Sequence, residues 1–480
     1  MDRTLVAGLA WTGAAKWAVQ ILSWASTVIV ARLLTPGDYG IIGMAAVYLG
    51  LVQMVSEFGL GTALIQSRDL DDTDIARIGG LSLLIGLTLF FVSALVAAPI
   101  ASFFREPAVR PVVVVLSATF VVTALQVVPN ALLARELRFR RLAFIESTEA
   151  LGQIAVTLAL ALAGARYWAI VCGSIAARSI GTALLLSARR HRLAAPGRLS
   201  ELRRVLAFGG QVVVSRLTWY AYSNADFVVI GRILSTAAVG AYSFGWNIAS
   251  IPADKINGII NRVTMPVFAE VQGDTAALAR YLVRLSEGLA YVVLPASVGM
   301  ALVAPDFVRF ALGERWAAAT LPLQLLSLHV TVRCINAPFN QALLALGEAS
   351  QPMRVGIVAV VVMPALFILG ATQWGVGGVA LMWLVGHPVI TVPMLIVHTA
   401  RRVRLPLSRL GGALWPAVAG TAVMAAAVSA ARVFLPSDAP VGVRLAVAVL
   451  VGAATYPALT WALFRGRIRE VAAGLGRLRD

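Results

Sequence analysis

Long apolar stretches separated by short polar segments run along almost the whole chain. Most of the stretches reach about 20 residues, the length that an α-helix needs to cross the hydrocarbon core of a bilayer. Apolar residues surround most of each helix circumference, as in helices packed within lipid. The pattern predicts about fourteen membrane-spanning helices, at approximately 7–33, 39–65, 78–101, 110–134, 145–164, 167–188, 206–233, 238–266, 282–304, 318–346, 353–372, 375–399, 411–431 and 442–464.

The arginines of the connecting segments predict how these helices are oriented. With the N-terminus in the cytoplasm, about 24 arginines fall in cytoplasmic segments and roughly nine fall on the opposite side. Cytoplasmic loops of membrane proteins carry an excess of Lys and Arg. Both termini are therefore expected in the cytoplasm. Because all connecting segments are short, no soluble catalytic domain is expected.

One predicted helix, within residues 208–234, carries a polar stripe through this apolar chain. At 100° per residue, five polar positions fall within an arc of roughly 80°. The stripe is either a hydrogen-bonded seam between helices or the face of a hydrated central cavity. The cavity is favoured because the helix also contains charges of both signs, which are costly at membrane depth without water or a partner. The stripe consists of Gln211, Ser215, Thr218, Tyr222 and Asp226.

The two halves of the chain resemble each other. Shifted by 200 residues without a gap, VIVARLLTPGDYG at 28–40 aligns with VVIGRILSTAAVG at 228–240, and Lys16 aligns with Arg216. Internal duplication of this kind is common in transporters. We therefore predict an all-α polytopic membrane protein with two pseudo-symmetric six-helix lobes and two additional C-terminal helices. The predicted divisions are the lobes 1–190 and 206–400, a basic cytoplasmic linker 191–205, and the two helices with a basic cytoplasmic tail 401–480.

The composition excludes several other classes of protein. The chain of 480 residues is 59% hydrophobic and only 13% charged, about half the charged fraction of a soluble domain. Its net charge of +17 would suggest nucleic-acid binding in a soluble protein, but here the arginines lie between apolar spans. Cys172 and Cys334 lie inside spans and indicate neither a disulfide framework nor a metal site.

Motifs of enzymes and cofactor sites are not convincing in this sequence. There is no phosphate-binding loop of the GKS or GKT type, so no ATP-driven motor is predicted. His329, His387 and His398 lack the spacing of metal ligands and are expected to pack or to line a pore. Trp316, Trp374 and Trp415 lie near predicted span ends, where tryptophan commonly anchors a chain at the membrane interface. We predict no enzyme, no metal and no cofactor.

Three cations inside predicted spans are candidates for binding an anionic cargo. Lys16 and Arg216 lie near the middle of repeat-related helices, which would line the interface between two lobes. Lys255 follows Asp254 beside Pro252, which is expected to bend its helix. Such cations in a hydrated, low-dielectric cavity suit a phosphate or pyrophosphate group. The alternative for each is an ion pair within the bundle or a side chain that reaches the interface.

Asp226 and Glu57 are the two carboxylates best placed to couple transport to an ion gradient. Loss of hydration favours the protonated form of a carboxylate, so such a group can bind H⁺ or Na⁺ in turn with a cargo. The alternative is that each of them neutralises a nearby arginine. The sequence leaves both interpretations open.

Several stretches together resemble a known family. They are ARLLTPGDYGIIGMA, SEFGLGTALIQ, ALLARELRFRRLAFIE, NADFVVIGRILSTAAVGAYSFGWNIASIP, LGERWAAATLPLQLLSL and LLALGEASQPMR. In order and spacing they resemble the Wzx-type bacterial polysaccharide exporters, in particular the branch of colanic acid exporters. The resemblance covers most of residues 1–400. That family belongs to the MOP superfamily, with the MATE drug antiporters and the lipid II flippases.

The resemblance implies a fold, a cargo and partners. Two six-helix lobes would form a V around a central cavity, and alternating access would carry an undecaprenyl-pyrophosphate-linked oligosaccharide repeat unit across the inner membrane. Lys16, Arg216 and Lys255 would hold the pyrophosphate, and Asp226 or Glu57 would couple to an H⁺ or Na⁺ gradient. A polysaccharide polymerase and a chain-length regulator would be partners. Polar residues of the stripe helix would replace water around the sugar hydroxyls, namely Gln211, Ser215, Thr218, Tyr222 and Asn224.

Two other functions remain as alternatives. A drug or cation antiporter of the MATE type would share the fold, but it would favour an anionic and aromatic cavity over a cationic one. A membrane-embedded polymerase or transferase for lipid-linked sugars would need a sizeable external loop. The longest external segments here, around 105–110 and 305–316, are short.

Overall fold

A computed structural model describes residues 3–56, 61, 64–65, 71–195, 220–348, 350–436 and 438–476. Within these ranges all regular structure is helical and no strand occurs. Helices satisfy their own backbone hydrogen bonds, which the hydrocarbon core of a membrane cannot do for them. The described chain divides into two compact units, Met1–Gly240 and Ala241–Asp480. The lobe boundaries predicted at 190 and 206 remain a prediction.

Among its described residues, the first unit contains six long helices, one short helix and the first turn of an eighth. The helix α4 packs against α2, α3 and α6, while α5 packs against α1 and α6. Small residues allow some of these helices to approach closely, since a Cβ on Gly86 of α3 would lie only 2.8 Å from Ala124 Cβ of α4. The helices are α1 Arg3–Leu33, α2 Pro36–Ser56, α3 Asp72–Phe104, α4 Val109–Arg135, α5 Phe139–Leu162, α6 Trp168–Ala188, α7 Ala225–Ile233 and α8 Thr236–Glu270.

The second unit is built around α9, which packs against α10, α13 and α14. Asp274 caps the start of α9, where its Oδ1 accepts hydrogen bonds from the backbone N–H groups of Ala276 at 2.9 Å and Ala277 at 3.0 Å. After α8 come α9 Thr275–Ala311, a 3₁₀ turn Glu314–Ala319, α10 Thr320–Ala345, α11 Ser350–Thr391, a π-helical turn Val392–Val397, α12 His398–Arg402, α13 Leu407–Phe434 and α14 Val441–Gly476.

The helices agree with the predicted spans, but the count of fourteen remains a prediction. Among the described residues, nine helices are long and apolar enough to cross a membrane, or ten if the bent pair Trp17–Leu33 and Pro36–Met54 forms one span. The helix α11 is broken at Gly375, where φ is 61° and ψ is −143°. Gly370 and Gly378 face each other across this break, backbone against backbone. The break lies where the sequence predicts the end of one span and the start of the next.

The duplicated sequences form equivalent helix breaks in the first unit. The helices α1 and α7 end at Leu33 and Ile233, and α2 and α8 begin at Pro36 and Thr236. The axis turns by 119° between Trp17–Leu33 and Pro36–Met54. The match between residues 28–40 and 228–240 therefore marks two similar pairs of helices rather than a coincidence of apolar composition.

A buried carboxylate stabilises the first of these breaks. Thr35 Oγ1 accepts a hydrogen bond from Asp38 N at 3.2 Å, and Asp38 Oδ2 accepts from Thr35 N at 2.9 Å and from Thr35 Oγ1 at 2.7 Å. This is a capping box, with Pro36 in the first helical position. Asp38 is 1% exposed, and its Oδ1 accepts a hydrogen bond at 3.1 Å from Nε of Arg166.

The second break is attached to the first unit by contacts of its own. Arg232 Nη1 donates a hydrogen bond to the carbonyl of Phe103 at 3.0 Å, and its guanidinium lies 5.5 Å from the centre of the Phe103 ring. Thr236 Oγ1 donates to Glu106 Oε2 at 2.8 Å. These contacts hold α7 and the start of α8 against the end of α3.

One tryptophan does not occupy the predicted interfacial position. Trp316 is fully buried in the second unit, where its ring centre lies 5.1 Å from that of Phe244. The expectation of an interfacial anchor is wrong at this position, because the 3₁₀ turn folds back onto α8. Trp374 and Trp415 are exposed, at 59% and 64%, as an anchor requires.

Candidate functional site

The structure describes the second part of the predicted polar stripe, around the start of α7. Asn224 precedes the first residue of α7, and its Nδ2 donates a hydrogen bond to the carbonyl of Tyr220 at 3.1 Å. Asp226 lies in the first turn, with Oδ1 accepting from Phe227 N at 2.9 Å. A carboxylate in the first turn is stabilised by the helix dipole. Tyr222 is half-buried on the same segment.

Burial at Asp226 differs from the sequence expectation. The stripe is expected to face a hydrated cavity, yet the Asp226 side chain is 0% exposed within the first unit. The expectation is therefore wrong at this position for the conformation described. The helix α7 packs against α2 and α3. The coupling role of Asp226 stays a prediction.

Tyr220 fixes this segment against α2. Its hydroxyl donates a hydrogen bond to the carbonyl of Val47 at 2.9 Å. A Cβ on Gly50 would lie 2.2 Å from the Tyr220 hydroxyl oxygen, so only glycine leaves room for the ring there. The tyrosine therefore has a packing role, and it positions the chain that leads into Asn224 and Asp226.

The other predicted site residues of the first half are not brought together by the described structure. Lys16 lies on α1, but its side chain belongs to the part that is not described. Gln211, Ser215, Arg216 and Glu57 lie outside the described residues. Their predicted roles remain predictions.

Lys255 belongs to α8 in the second unit and is exposed. The preceding residue, Asp254, forms an ion pair with Arg333 of α10, with 3.0 Å between Oδ1 and Nη2. The acid beside Lys255 is therefore engaged by an arginine from another helix. The alternative predicted for this position was an ion pair within the bundle. Asp254 forms such a pair, but with Arg333 and not with the neighbouring lysine.

A polar and aromatic cluster lies near this ion pair; the packing of its two histidines was predicted from the sequence, but their contact with each other was not. His329 of α10 and His387 of α11 have ring centres 5.1 Å apart, and both pack against Trp383. Trp246 of α8 completes the cluster at 5.5 Å from Trp383. The Nδ1 atoms of both histidines are buried and have no hydrogen-bond partner among the described residues. The two histidines are 58 positions apart, so no local motif indicates that they are in contact. Each of them is followed at helical spacing by a polar or aromatic residue.

A second network was also missed, in the first unit. Gln126 Nε2 of α4 donates hydrogen bonds to Glu149 Oε1 at 3.3 Å, to the Arg178 carbonyl at 3.0 Å and to Thr182 Oγ1 at 2.9 Å. Arg178 Nη1 lies 3.9 Å from Glu149 Oε2, which agrees with an arginine paired inside the bundle. The signal was a glutamate and a glutamine inside predicted spans, where polar side chains normally bond to neighbouring helices.

Metal binding finds no support in these clusters. Over the ranges given above, no three His, Cys, Asp or Glu side chains are arranged to hold a metal ion. Cys172 is half-buried and Cys334 is buried, and both are free thiols.

Comparison with known proteins gives this architecture a family. Residues 29–321 match the family model described as a polysaccharide biosynthesis protein. The lipopolysaccharide biosynthesis protein WzxC of Escherichia coli K12 is 24% identical over 393 residues, which cover 81% of this chain and 79% of that protein. The teichuronic acid biosynthesis protein TuaB of Bacillus subtilis is 25% identical over 355 residues and 73% of each chain.

The fold also has a counterpart among solved structures. The lipid II flippase MurJ in an inward closed conformation superposes with a TM-score of 0.77, covering 96% of this chain and 100% of that chain. At 12% sequence identity this likeness concerns the fold. It confirms the predicted all-α polytopic fold. Because the family match covers more than half of this chain, the chain belongs to the polysaccharide biosynthesis protein family.

Proposed function

We propose that this protein flips undecaprenyl-pyrophosphate-linked oligosaccharide repeat units across the bacterial inner membrane by alternating access. The product would serve the synthesis of exopolysaccharide, O-antigen or capsule. The observation that carries the proposal is the family match over residues 29–321, supported by the similarity to WzxC along most of both chains. Its relatives make it a transport protein and not an enzyme.

The physics of the cargo favours a polar path through an apolar protein. A polyprenyl tail can remain in lipid while the sugar crosses. Each sugar hydroxyl that enters hydrocarbon without a partner costs a few kcal/mol, so an oligosaccharide needs polar groups along its route. We assign this role to Gln211, Ser215, Tyr222 and Asn224, of which Tyr222 and Asn224 lie beside the buried start of α7.

The charged residues take two different roles in this proposal. Lys16, Arg216 and Lys255 bind the pyrophosphate, since a guanidinium or ammonium group in a low-dielectric cavity attracts an anion more strongly than in water. Asp226 and Glu57 exchange H⁺ or Na⁺. The complete burial of Asp226 supports coupling rather than direct contact with cargo. Both termini lie in the cytoplasm in the proposed orientation.

Lipid extraction after deletion of the gene tests the cargo. The deletion strain is complemented with the wild type, with Arg216→Gln, or with Arg354→Gln as the control, since Arg354 is an exposed arginine in the first turns of α11. We expect the polyprenyl-pyrophosphate oligosaccharide to accumulate in the deletion strain and with Arg216→Gln, but not with the wild type or the control. Equal membrane levels of all variants are verified by immunoblot.

Two results would contradict the assignment. If the deletion strain accumulates no lipid-linked oligosaccharide and becomes sensitive to cationic drugs, the antiporter function replaces the flippase. If the lipid accumulates but Arg216→Gln clears it as the wild type does, the flippase stands and Arg216 has no part in cargo binding. Coupling is tested with Asp226→Asn against Asp438→Asn, because Asp438 is exposed on a loop. Only the former should abolish the dependence of cargo clearance on the ion gradient.

A further inference from the structure

An apolar crevice opens in the second unit between α9 and the two C-terminal helices α13 and α14. Its volume is about 320 Å³. Beside it, Val303, Met424, Val428 and Ala448 form a small buried cluster that holds the three helices together. The walls include small and medium-sized residues, namely Pro295, Gly299, Val303, Val428, Ala448 and Gly452.

Three charged side chains lie one helical turn beyond one end of this crevice. Asp306 follows Val303 on α9, Arg432 follows Val428 on α13, and Arg444 precedes Ala448 on α14. Asp306 is 8% exposed. It accepts a hydrogen bond from Arg432 Nη2, and its Oδ1 lies 3.8 Å from Arg444 Nε. The cluster therefore has two guanidinium groups for one carboxylate.

The hydrogen-bonding capacity of the two arginines is not exhausted. The Nε atoms of Arg432 and Arg444 are buried and have no hydrogen-bond partner among the described residues. The side chains as a whole are 27% and 29% exposed, so a ligand can approach the other nitrogen atoms of the two guanidinium groups. Buried donors of charged groups are normally bonded, and guanidinium groups match the oxygens of a phosphate.

The distance from the far end of the crevice to the charged side chains matches one leaflet of a bilayer. From Pro295 to Asp306, α9 rises by about 16 Å, which is half of the hydrocarbon core of roughly 30 Å. Tyr456 lines the far end, and its hydroxyl donates a hydrogen bond to the carbonyl of Tyr291 at 2.9 Å. The crevice thus has the depth of one acyl chain, and the charges lie at the level of a lipid headgroup.

We propose that this crevice is the site of a resident anionic phospholipid. One acyl chain lies between α9 and the α13–α14 hairpin. The phosphate is bound by Arg432 and Arg444, and it supplies the second negative charge that two guanidinium groups need beside the single carboxylate of Asp306. A phospholipid fits better than a polyprenyl cargo, because the chain of the cargo exceeds one leaflet, whereas a phospholipid acyl chain matches the distance from the charges to the far end. In the proposed orientation the headgroup belongs to the outer leaflet. The site does not depend on the cargo proposed above.

The test compares binding of defined lipids by the full-length protein. Purified, delipidated protein is titrated with phosphatidylglycerol and with phosphatidylcholine of the same acyl chains, and bound lipid is counted by native mass spectrometry. We expect a preference for phosphatidylglycerol. Each arginine near a lipid surface contributes about a fivefold change in affinity, so Arg444→Gln should weaken phosphatidylglycerol binding about fivefold. The pair of Arg432 and Asp306 is left intact in this variant, so the fold is retained.

Two further variants separate a ligand site from a structural ion pair. Asp306→Asn removes the internal competitor for the guanidinium groups, so phosphatidylglycerol should bind more tightly even if the protein is less stable. Gly299→Leu should abolish binding, since the only side-chain atom near a Cβ there is Met424 Cε at 3.9 Å and the larger group would extend into the crevice. Arg354→Gln and Gly356→Leu on α11 serve as controls and should leave binding unchanged.

The opposite results would overturn the proposal. If the wild type binds the two lipids equally, the cluster is only an anchor between helices. The same holds if Asp306→Asn binds phosphatidylglycerol no more tightly than the wild type does. If a polyprenyl phosphate displaces phosphatidylglycerol at lower concentration, the crevice belongs to the cargo instead.

Discussion

Within the first unit, the start of α2 and the first turn of α8 cross at two glycines related by the internal duplication, and this crossing gives the sharpest test of the structure. A Cβ on Gly240 would lie 1.7 Å from the carbonyl oxygen of Pro36, and a Cβ on Gly40 would lie 1.8 Å from that of Thr236. Real Cβ atoms essentially never approach another heavy atom within 3.0 Å. Gly240→Ala must therefore move the two helices apart by at least about 1.3 Å.

The expected cost follows from two opposing effects. Overpacking of a tight contact between backbones destabilises by about 1–3 kcal/mol. Alanine in place of glycine within a helix stabilises by up to about 1 kcal/mol. Gly356→Ala isolates the second effect, because Gly356 lies within α11 and has nothing within 4 Å of the added Cβ. The difference between the two variants should therefore be about 1–3 kcal/mol, with Gly240→Ala the less stable.

Thermal unfolding in one detergent, at one scan rate, is the appropriate assay. The unfolding of membrane proteins is seldom reversible, so apparent transition temperatures are compared rather than equilibrium free energies. Gly40→Ala should lower the transition by a similar amount. In the double variant the second alanine should cost less than the first, since the helices have already separated. If Gly240→Ala is as stable as Gly356→Ala, or if the two costs simply add, the close crossing is absent from the native protein.

Two further predictions concern charged side chains outside this crossing. Asp38→Asn should destabilise the protein by about 1–2 kcal/mol, because the single amide oxygen of asparagine cannot accept from both Thr35 N and Arg166 Nε. Thermal unfolding tests this prediction, with Asp438→Asn at an exposed position as the control. Hydrogen bonding with His398, reinforced by Arg402, lowers the pKa of Glu348 from its ordinary value of 4.5. Its contribution to stability is present above that value and is lost as the pH falls through the lowered pKa. The stability difference between wild type and Glu348→Gln should therefore shrink below about pH 4.5, and a constant difference would contradict it.

The helices themselves could be predicted well from the sequence, because long apolar runs leave few alternatives. The span predicted at 110–134 is the helix Val109–Arg135, and 167–188 is Trp168–Ala188. The span predicted at 78–101 is longer in the structure and begins at Asp72. Its first turn is polar and capped by Asp71, whose side chain accepts from Asp74 N at 2.7 Å. Hydropathy detects the part of a helix inside the hydrocarbon and misses the turns beyond it.

The burial of side chains and their contacts with other helices could not be predicted in the same way. Trp316 is placed in the core and Trp374 on the surface by tertiary packing, although both occur near predicted span ends. The sequence places Asp226 in a wet stripe, but the structure buries its side chain completely. His329 and His387 come from different helices, and a single sequence contains no signal for their contact. Periodicity shows which residues share a face, but not what covers that face.

The duplication also extends to polar contacts at the helix ends, which the shift of 200 residues does not align. In the first unit, Glu136 follows α4 and pairs with Arg189 after α6, at 3.1 Å. In the second unit, Glu348 follows α10 and pairs with Arg402 at the end of α12. Each half thus joins the end of one helix to the end of a later helix through the same two residue types. Within apolar spans many residues pack equally well, so the ancestral sequence is lost, whereas an ion pair at a helix end requires a specific partner and keeps the repeat recognisable.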